Sequence, residues 1–216
     1  MAGCCDPSGY EDMFGERFAR HRARRYRRRG LDATERRMVD FLSARGVEGA
    51  TVLEIGGGVG ELQIELLRRG AARATNLELV DAYDAQARQL ATDAGVTGRV
   101  HRRRLDIAAA PGEVEAADVV VLHRVVCCYP DYEKLLGAAA DHARRLLVFS
   151  HPPRNAVSRA LLGTQNLMFR LTGKTFRTFA HPPDEMLRVL HDRGLVSSYA
   201  HRGLAWRVAG LERPED

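Results

Sequence analysis

Short apolar runs rich in β-branched residues alternate along this chain with segments whose apolar residues follow helical spacing. The runs that predict strands cover residues 51–55, 74–79, 100–105, 118–122 and 146–150. Strands that alternate with helices in this way are typical of a mainly parallel sheet with helices on both faces. The pattern therefore predicts an α/β domain.

The pattern changes after the fifth run. Residues 155–173 predict a longer helix, and residues 182–194 predict a short helix that begins at a proline. The last two runs, 196–201 and 204–209, flank a turn and predict an antiparallel hairpin at one edge of the sheet. We therefore expect a seven-stranded sheet in a single domain spanning residues 1–216. Within it, residues 1–45 would form an N-terminal helical cap, and residues 151–184 a lid-like insertion.

The charge is unevenly distributed. The formal net charge is +5, and eight of the arginines lie in residues 17–29 with four more in residues 99–104. Without those twelve, 21 basic residues face 28 acidic ones. The body is thus acidic and carries two basic patches, which is not the pattern of a uniformly basic nucleic-acid-binding protein.

The chain has no apolar stretch of membrane-spanning length, and its first residues, "MAGCCDPSGYEDMF", are too polar for a signal peptide. We therefore expect no membrane insertion and a cytoplasmic location.

The stretch "VLEIGGGVGE", residues 52–61, places a glycine loop between a strand and a helix. Such a loop brings backbone N–H groups and a helix N-terminus close to a ligand. A phosphate-binding loop would need a following lysine, and the dinucleotide fingerprint would need glycine where Glu61 stands. The remaining pattern, E/D-x-G-x-G-x-G, consists of Glu54, Gly56, Gly58 and Gly60, and its acid can attract a cationic aminoacyl group.

This motif and its surroundings resemble the class I S-adenosylmethionine-dependent methyltransferases over about residues 45–150. The resemblance implies a Rossmann-like methyltransferase fold with S-adenosylmethionine as cofactor, whose methionine part the loop would wrap. Glu78 matches the family's acid for the ribose hydroxyls, and Asp106 the acid that reaches the adenine amino group. The implied cofactor contacts also include Gly57, Leu79, Ile107 and His123. Without a cofactor, Glu54 could simply cap a helix and Asp106 could start a turn.

A weaker resemblance links residues 124–157, with "GKTF" further on, to magnesium-protoporphyrin IX methyltransferases, which esterify a propionate carboxylate. Here Cys128 stands where those enzymes carry histidine, and His151 with two prolines replaces a plainer turn. The resemblance implies the fold and the cofactor, but not the porphyrin.

Methyl transfer requires that an acceptor be held in line with an activated methyl group while water is excluded. A hydroxyl acceptor needs a base, whereas an ionised carboxylate does not. His123, at the end of the fourth predicted strand, is the first candidate for a base or positioning group. His151 is the second candidate and His181 the third, and each could instead be structural.

The N-terminal arginines lie on a predicted helix over residues 10–29. Its apolar stripe consists of Tyr10, Phe14, Phe18, Ala19, Ala23 and Tyr26. The helix could be a solvated surface element or an anion-attracting lid, with nucleic acid as the rival partner. Candidate substrate contacts are Tyr26, Tyr129, Phe176 and Arg177.

The preferred function is methylation of a small, anionic acceptor. The alternatives are methylation of RNA or protein, and a non-catalytic, nucleic-acid-associated protein with this fold.

Two adjacent cysteine pairs, Cys4–Cys5 and Cys127–Cys128, lack the C-x-x-C spacing of structural zinc sites. We predict that Cys127 and Cys128 are small buried apolar residues and that the chain has no metal site. Contact with a metal or metalloid is the alternative.

Overall fold

A computed structural model describes residues 8–214 and contains one seven-stranded sheet. The strands are β1 (Thr51–Ile55), β2 (Arg73–Glu78), β3 (Val100–Arg104), β4 (Ala117–Leu122), β5 (Ala143–His151), β6 (Val196–Arg202) and β7 (Arg207–Glu212). Their order is β3-β2-β1-β4-β5-β7-β6, so β3 and β6 form the edges. Strands β1 to β5 pair in parallel, whereas β7 runs antiparallel to both β5 and β6. The predicted Rossmann-like α/β fold with an antiparallel edge hairpin is confirmed.

Helices cover both faces of the sheet. In the part of the chain that the structure describes they are α1 (Ser8–Glu11), α2 (Glu16–Arg29), α3 (Ala33–Ser43), α4 (Glu61–Arg68), α5 (Asp84–Asp93), α6 (Tyr132–Asp141), α7 (Ala156–Leu171) and α8 (Pro183–His191). Helices α2 to α5 pack on one face with Val52 of β1, and α6 and α8 pack on the other with Leu53. Successive strand residues thus enter opposite core layers, as expected of a sheet that is buried on both sides.

The segment before the first strand is helical, as predicted, and contains three helices within the described residues. The prediction of a single helix over residues 10–29 is wrong. Helix α1 ends at Glu11, and α2 begins after Gly15, whose extended backbone serves as the N-cap. Helix α3 begins after its N-cap Asp32, which forms a capping box with Glu35. The chain therefore turns between α1 and α2 and again between α2 and α3. The buried residues of α2 and α3 pack in the same core layer.

The last predicted strand is shifted along the chain. Residues 204–209 were expected to form it, whereas β7 spans Arg207–Glu212. Leu204, which the apolar pattern assigned to the strand, lies in the turn and is 99% exposed. A side chain added at Gly203 would sit 2.3 Å from the Trp206 carbonyl oxygen, so the turn closes tightly at a glycine.

The Cys4–Cys5 pair lies outside the described residues, as does the start of the predicted N-terminal cap. The division into a cap over residues 1–45 and a lid-like insertion over residues 151–184 stays a prediction. Among the helices that the structure describes, none combines the length and the apolarity that a membrane crossing requires.

Candidate active site

The glycine loop follows β1 at the edge where the parallel strands end. Gly56, Gly58 and Gly60 have φ values of +64°, +53° and +83°, a left-handed conformation that disfavours other residues. A Cβ atom at Gly56 would lie 2.5 Å from a methyl group of Val125, in the loop after β4. The loop therefore needs bare backbone for its shape, and at Gly56 for its close packing as well.

Glu78, at the end of β2, fixes the glycine loop to the neighbouring strand. Its carboxylate accepts hydrogen bonds from the backbone N–H groups of Gly58 at 2.8 Å, Leu79 at 2.7 Å and Val80 at 3.2 Å. Burial raises the pKa of Glu78, although these N–H groups oppose the shift. The carboxylate also lines a cavity that opens above the loop.

Glu54 is a buried acid at the end of β1 that lines the same cavity. It accepts a 3.3 Å hydrogen bond from the backbone N–H of Gln63 in the first turn of α4. Burial raises the pKa of Glu54 well above its usual value, and the nearby Glu61 raises it further. A carboxyl with one backbone donor keeps acceptor capacity, which suits a cationic group in the cavity.

Asp106 follows β3 and meets an aromatic side chain. One carboxylate oxygen accepts from the Ala108 N–H at 3.0 Å, and the other accepts from the Tyr129 hydroxyl at 2.9 Å. Tyr129 is buried, and both residues line the cavity together with Ile107. The predicted adenine contact and one predicted substrate contact therefore share one corner of the cavity.

His123 follows β4 directly and lines the cavity. Its Nδ1 lies 2.9 Å from the Ser150 hydroxyl, and its Nε2 lies 3.6 Å from a carboxylate oxygen of Glu35. Burial lowers the pKa of His123, while the nearby Glu35 carboxylate raises it in part. The imidazole is therefore neutral near pH 7, with both ring nitrogens directed at protein groups.

Arg124 lines the cavity next to His123 and has a φ of 59°, the only positive value at a non-glycine residue in the described part of the chain. Its backbone N–H donates to the Ser150 hydroxyl at 2.9 Å, and its guanidinium donates to Asp32 at 2.8 Å. The guanidinium also lies 5.0 Å from the ring centre of Trp206. Its Nε is buried without a hydrogen-bond partner. Strained backbone of this kind concentrates at functional sites.

The N-terminal segment supplies the opposite wall through Tyr10, Phe14 and Phe18. The Tyr10 hydroxyl donates to the Cys128 carbonyl at 2.8 Å, and the Tyr10 and Phe14 rings lie 5.8 and 5.3 Å from Phe176. The segment is thus attached to the loop after β4 and to the chain after α7, and it covers the cavity with aromatic rings.

A comparison with known protein families decides the class of this site. Residues 18–197 match the methyltransferase domain family. The chain belongs to this family. No curated protein sequence is significantly similar to it.

Solved structures of similar fold agree with that assignment. Magnesium protoporphyrin IX methyltransferase from Synechocystis PCC 6803, with bound S-adenosylhomocysteine, is 20% identical, with a TM-score of 0.76 over 97% of this chain and 100% of that one. An O-methyltransferase family protein from Burkholderia thailandensis is 24% identical, with a TM-score of 0.67 over 93% and 63%. Geranyl diphosphate C-methyltransferase from Streptomyces coelicolor A3(2) is 16% identical, with a TM-score of 0.64 over 83% and 79%. The prediction that the chain is an S-adenosylmethionine-dependent methyltransferase is therefore confirmed.

The cavity of this methyltransferase contains most of the predicted cofactor residues. The wall includes Glu54, Gly56, Gly57, Gly58, Glu78, Leu79, Asp106, Ile107 and His123. Gly60 caps α4 just outside the wall. Arg22, Glu61 and Arg124 line it as well, and the sequence did not single them out. For Arg124 a signal was present, because it directly follows the candidate histidine at a strand end.

The other predicted catalytic and substrate residues do not line this cavity. His151 is buried with its Nδ1 2.9 Å from the Pro152 carbonyl, and His181 directs Nε2 to the Tyr129 carbonyl at 2.9 Å. Burial lowers the pKa of both histidines. The Tyr26 hydroxyl bonds Glu65 of α4, and Arg177 donates to two carbonyls of its own loop.

Asp32, Glu35 and His123 each place one potential metal-ligand atom within 4.8 Å of the others. The two carboxylates already face guanidinium groups, however. Arg22 lies 2.6 Å from Glu35, and Arg124 lies 2.8 Å from Asp32. Because these cations neutralise the acids, the cluster is better described as an ion-pair network than as a cation site.

Cys127 is buried, as predicted, whereas Cys128 is partly exposed and lines the cavity. Their sulfur atoms lie 3.6 Å apart, and both approach the Arg124 carbonyl.

Proposed function

We propose that this methyltransferase transfers a methyl group from S-adenosylmethionine to a small acceptor whose nucleophilic atom is already anionic. When bound, S-adenosylmethionine supplies a methyl group that its sulfonium centre has activated for transfer. The protein then has to orient the two reactants and exclude water. The observation that carries the proposal is one cavity that joins the glycine loop, three strand-end acids and Arg124.

The residues of the cavity fit the functional groups of this cofactor. We assign Glu78 to the ribose hydroxyls, Glu54 to the aminoacyl ammonium group and Asp106 to the adenine amino group. Burial raises the pKa of Glu54. An ammonium group beside the carboxyl would lower that pKa and favour the carboxylate, which supports the assigned role.

The negative charge of the acceptor is inferred from Arg124. Its Nε–H is a buried donor without a partner, and such a group is costly unless a ligand satisfies it. Arg124 pairs with Asp32 through Nη2, which leaves its Nε free. Arg22 also lines the cavity but is less suited to this role, because it already pairs with both Glu35 and Glu61. The geranyl diphosphate C-methyltransferase of similar fold methylates carbon but was solved with a negatively charged ligand, which supports an acceptor that carries negative charge.

His123 is assigned a positioning role. Its Nδ1 contacts Ser150, and its Nε2 has no hydrogen-bond partner but lies 3.6 Å from a Glu35 carboxylate oxygen, so both nitrogens are directed at protein groups and not at an acceptor in the cavity. An acceptor that is already ionised needs no base, which agrees with this arrangement.

The cofactor assignment is tested with Glu78→Gln. We expect its affinity for S-adenosylhomocysteine, measured by calorimetry, to fall by roughly tenfold to a hundredfold, since a charged hydrogen-bond acceptor is lost. The matched control is Glu115→Gln, because Glu115 is exposed and remote from the cavity. Equal affinity in the two variants would remove Glu78 from the cofactor site.

The acceptor assignment is tested with Arg124→Gln. Turnover of labelled S-adenosylmethionine with an extract of small metabolites should identify the acceptor, and with that acceptor the variant should have a KM raised by roughly tenfold or more. Its affinity for S-adenosylhomocysteine should stay close to that of the wild type. A variant with unchanged KM would contradict the role of Arg124, and an uncharged acceptor would contradict the proposal itself.

RNA methylation is the second candidate. It is supported by four exposed arginines of α2 that form no ion pair with any described residue, namely Arg17, Arg24, Arg28 and Arg29. RNA binding that weakens steeply with salt, together with methyl incorporation into RNA, would favour this function over the first.

A further inference from the structure

Helix α7 presents an apolar face to solvent. It contains no buried residue, and five of its large apolar side chains are between 55% and 76% exposed. They are Val157, Leu161, Leu167, Met168 and Leu171. Scattered exposed apolar residues are normal, but a contiguous group on one element marks an interaction surface.

The exposed side chains share one side of the helix. Val157, Leu161, Met168 and Leu171 follow the spacing i, i+4, i+11 and i+14, which aligns them along a single face. The opposite side attaches the helix to the protein. There the Asn166 side chain donates to the Thr178 carbonyl at 2.7 Å, and the Phe169 ring lies 5.6 Å from Phe176. The apolar face is therefore directed away from the molecule.

The surroundings of this face are basic. Residues 142–183 contain no acidic residue. Arg154, Arg159 and Arg170 are exposed, and none of them forms an ion pair within residues 8–214. Arg159 and Arg170 are eleven residues apart and so lie along one line of the helix, where they adjoin Leu167 at one edge of the apolar side. An anionic partner would be attracted to this surface.

We propose that the apolar face of α7, with its flanking arginines, docks on an anionic lipid bilayer surface. A helix with an apolar face and basic flanks lies in the plane of the bilayer interface, with its apolar side chains among the lipids and its cations near the headgroups. A second copy of the chain is a poorer occupant. A two-fold contact through α7 would bring arginines of both copies together without any acid from residues 142–183 to neutralise them.

The docked helix would lie close to the cavity. Phe169 of α7 contacts Phe176, and Phe176 contacts Phe14, which lines the cavity wall. Docking would thus bring the aromatic wall of the site towards the bilayer surface. The inference itself rests on the exposed face and its charge, and it holds whichever acceptor the enzyme uses.

The experiment is co-sedimentation of the full-length protein with vesicles of phosphatidylcholine alone and of phosphatidylcholine and phosphatidylglycerol in equal parts. We expect binding to the anionic vesicles, little binding to the neutral ones, and weakening by salt. Combining Leu161→Ser, Met168→Ser and Leu171→Ser should reduce the partition coefficient by about tenfold or more. Leu204→Ser, which changes an exposed leucine in the β6–β7 turn, is the matched control and should bind like the wild type.

A second variant tests the charge. Arg154→Gln, Arg159→Gln and Arg170→Gln combined should reduce binding to the anionic vesicles on the order of a hundredfold. The same change at Arg24, Arg28 and Arg29 of α2 is the control and should have a much smaller effect. Because all these side chains are exposed, the thermal unfolding midpoints should match the wild type, which separates lost docking from lost folding.

Three results would overturn the proposal. The first is a wild-type protein that binds neither type of vesicle, and the second is equal binding by the serine variant and the wild type. The third is a dimer, seen by analytical ultracentrifugation, that the serine variant converts to a monomer, since the face would then be an interface between copies of the chain.

Discussion

Helices α2 and α7 both carry arginines and an apolar stripe, yet the fold treats them in opposite ways. In α2, Ala19, Ala23 and Tyr26 are buried, and the helix packs into one core layer of the domain. In α7 no residue is buried, and the larger apolar side chains face solvent. An amphipathic pattern thus predicts that a helix has two faces, but not which face the fold will cover.

The difference follows from the acids that surround each helix. Arg22 of α2 pairs with Glu35 of α3 and Glu61 of α4, and Arg25 reaches Asp32 and Glu35. These carboxylates allow a basic helix to enter the core, because a buried charge must be paired. No acid occurs between residues 142 and 183, so the arginines of α7 remain in solvent.

The largest difference in stability between variants of the two helices is expected when one arginine of each is replaced by methionine. Arg22→Met should lower the free energy of unfolding by about 3 kcal/mol or more, because Glu35 and Glu61 lose a buried partner. Arg170→Met should change it by less than about 0.5 kcal/mol, as is usual for an exposed side chain. Urea unfolding of the two variants measures both values. Similar losses in the two would abolish the distinction between the helices.

A smaller difference in stability is expected when an alanine of each helix is replaced by the larger leucine. Ala23→Leu should destabilise the fold by about 1–3 kcal/mol, since Ala23 is fully buried and a larger side chain overpacks the core. Ala160→Leu on α7 should change stability by less than about 0.5 kcal/mol, because Ala160 is exposed. Thermal unfolding of both variants is the measurement. A destabilising Ala160→Leu would show that α7 is more closely packed than its exposure indicates.

The smallest difference between α2 and α7 is expected in their response to a fall in pH. Burial alone would raise the pKa of Glu35, but the nearby His123 ring, a hydrogen bond from the Asp32 N–H and the charge of Arg22 hold it well below its usual value. A carboxyl with a depressed pKa contributes its full stabilisation above the ordinary glutamate pKa of about 4.3 and loses it progressively below.

Hydrogen exchange at about pH 7 and about pH 4, corrected for the intrinsic rate, should therefore show α2 losing protection in acid. Helix α7 contains no acid and should change less. Glu35→Gln should remove most of the pH dependence of α2. If α7 lost protection as much as α2 did, the change would be global and not a consequence of Glu35.

The sequence predicts the centre of the sheet well because β1, β4 and β5 are short apolar runs, and their burial on both faces dictates that composition. The glycine loop is equally predictable, since its positive φ angles require glycine. The break after α1 and the shift of β7 were missed, because a helix start at Gly15 and an exposed Leu204 depend on tertiary packing.

The acceptor side of the site was harder to predict for the same reason. The positive φ of Arg124 and its contacts with Asp32, Ser150 and Trp206 join segments that are far apart in the chain. Tyr129 was predicted near the acceptor, and its bond to Asp106 depends on how the loop after β4 turns. Periodicity and spacing describe local structure and contain no information about such contacts.

The second basic patch is in the β3 edge strand, where it has a consequence for aggregation. An edge strand offers unpaired backbone groups to which another chain could add, and charged side chains discourage this. Arg102, Arg103 and Arg104 occupy consecutive positions there and bond acids of neighbouring segments at Asp84, Glu113 and Asp81. We therefore expect these arginines to discourage another strand from adding to this edge, and β-branched residues at 103 and 104 to make such addition easier.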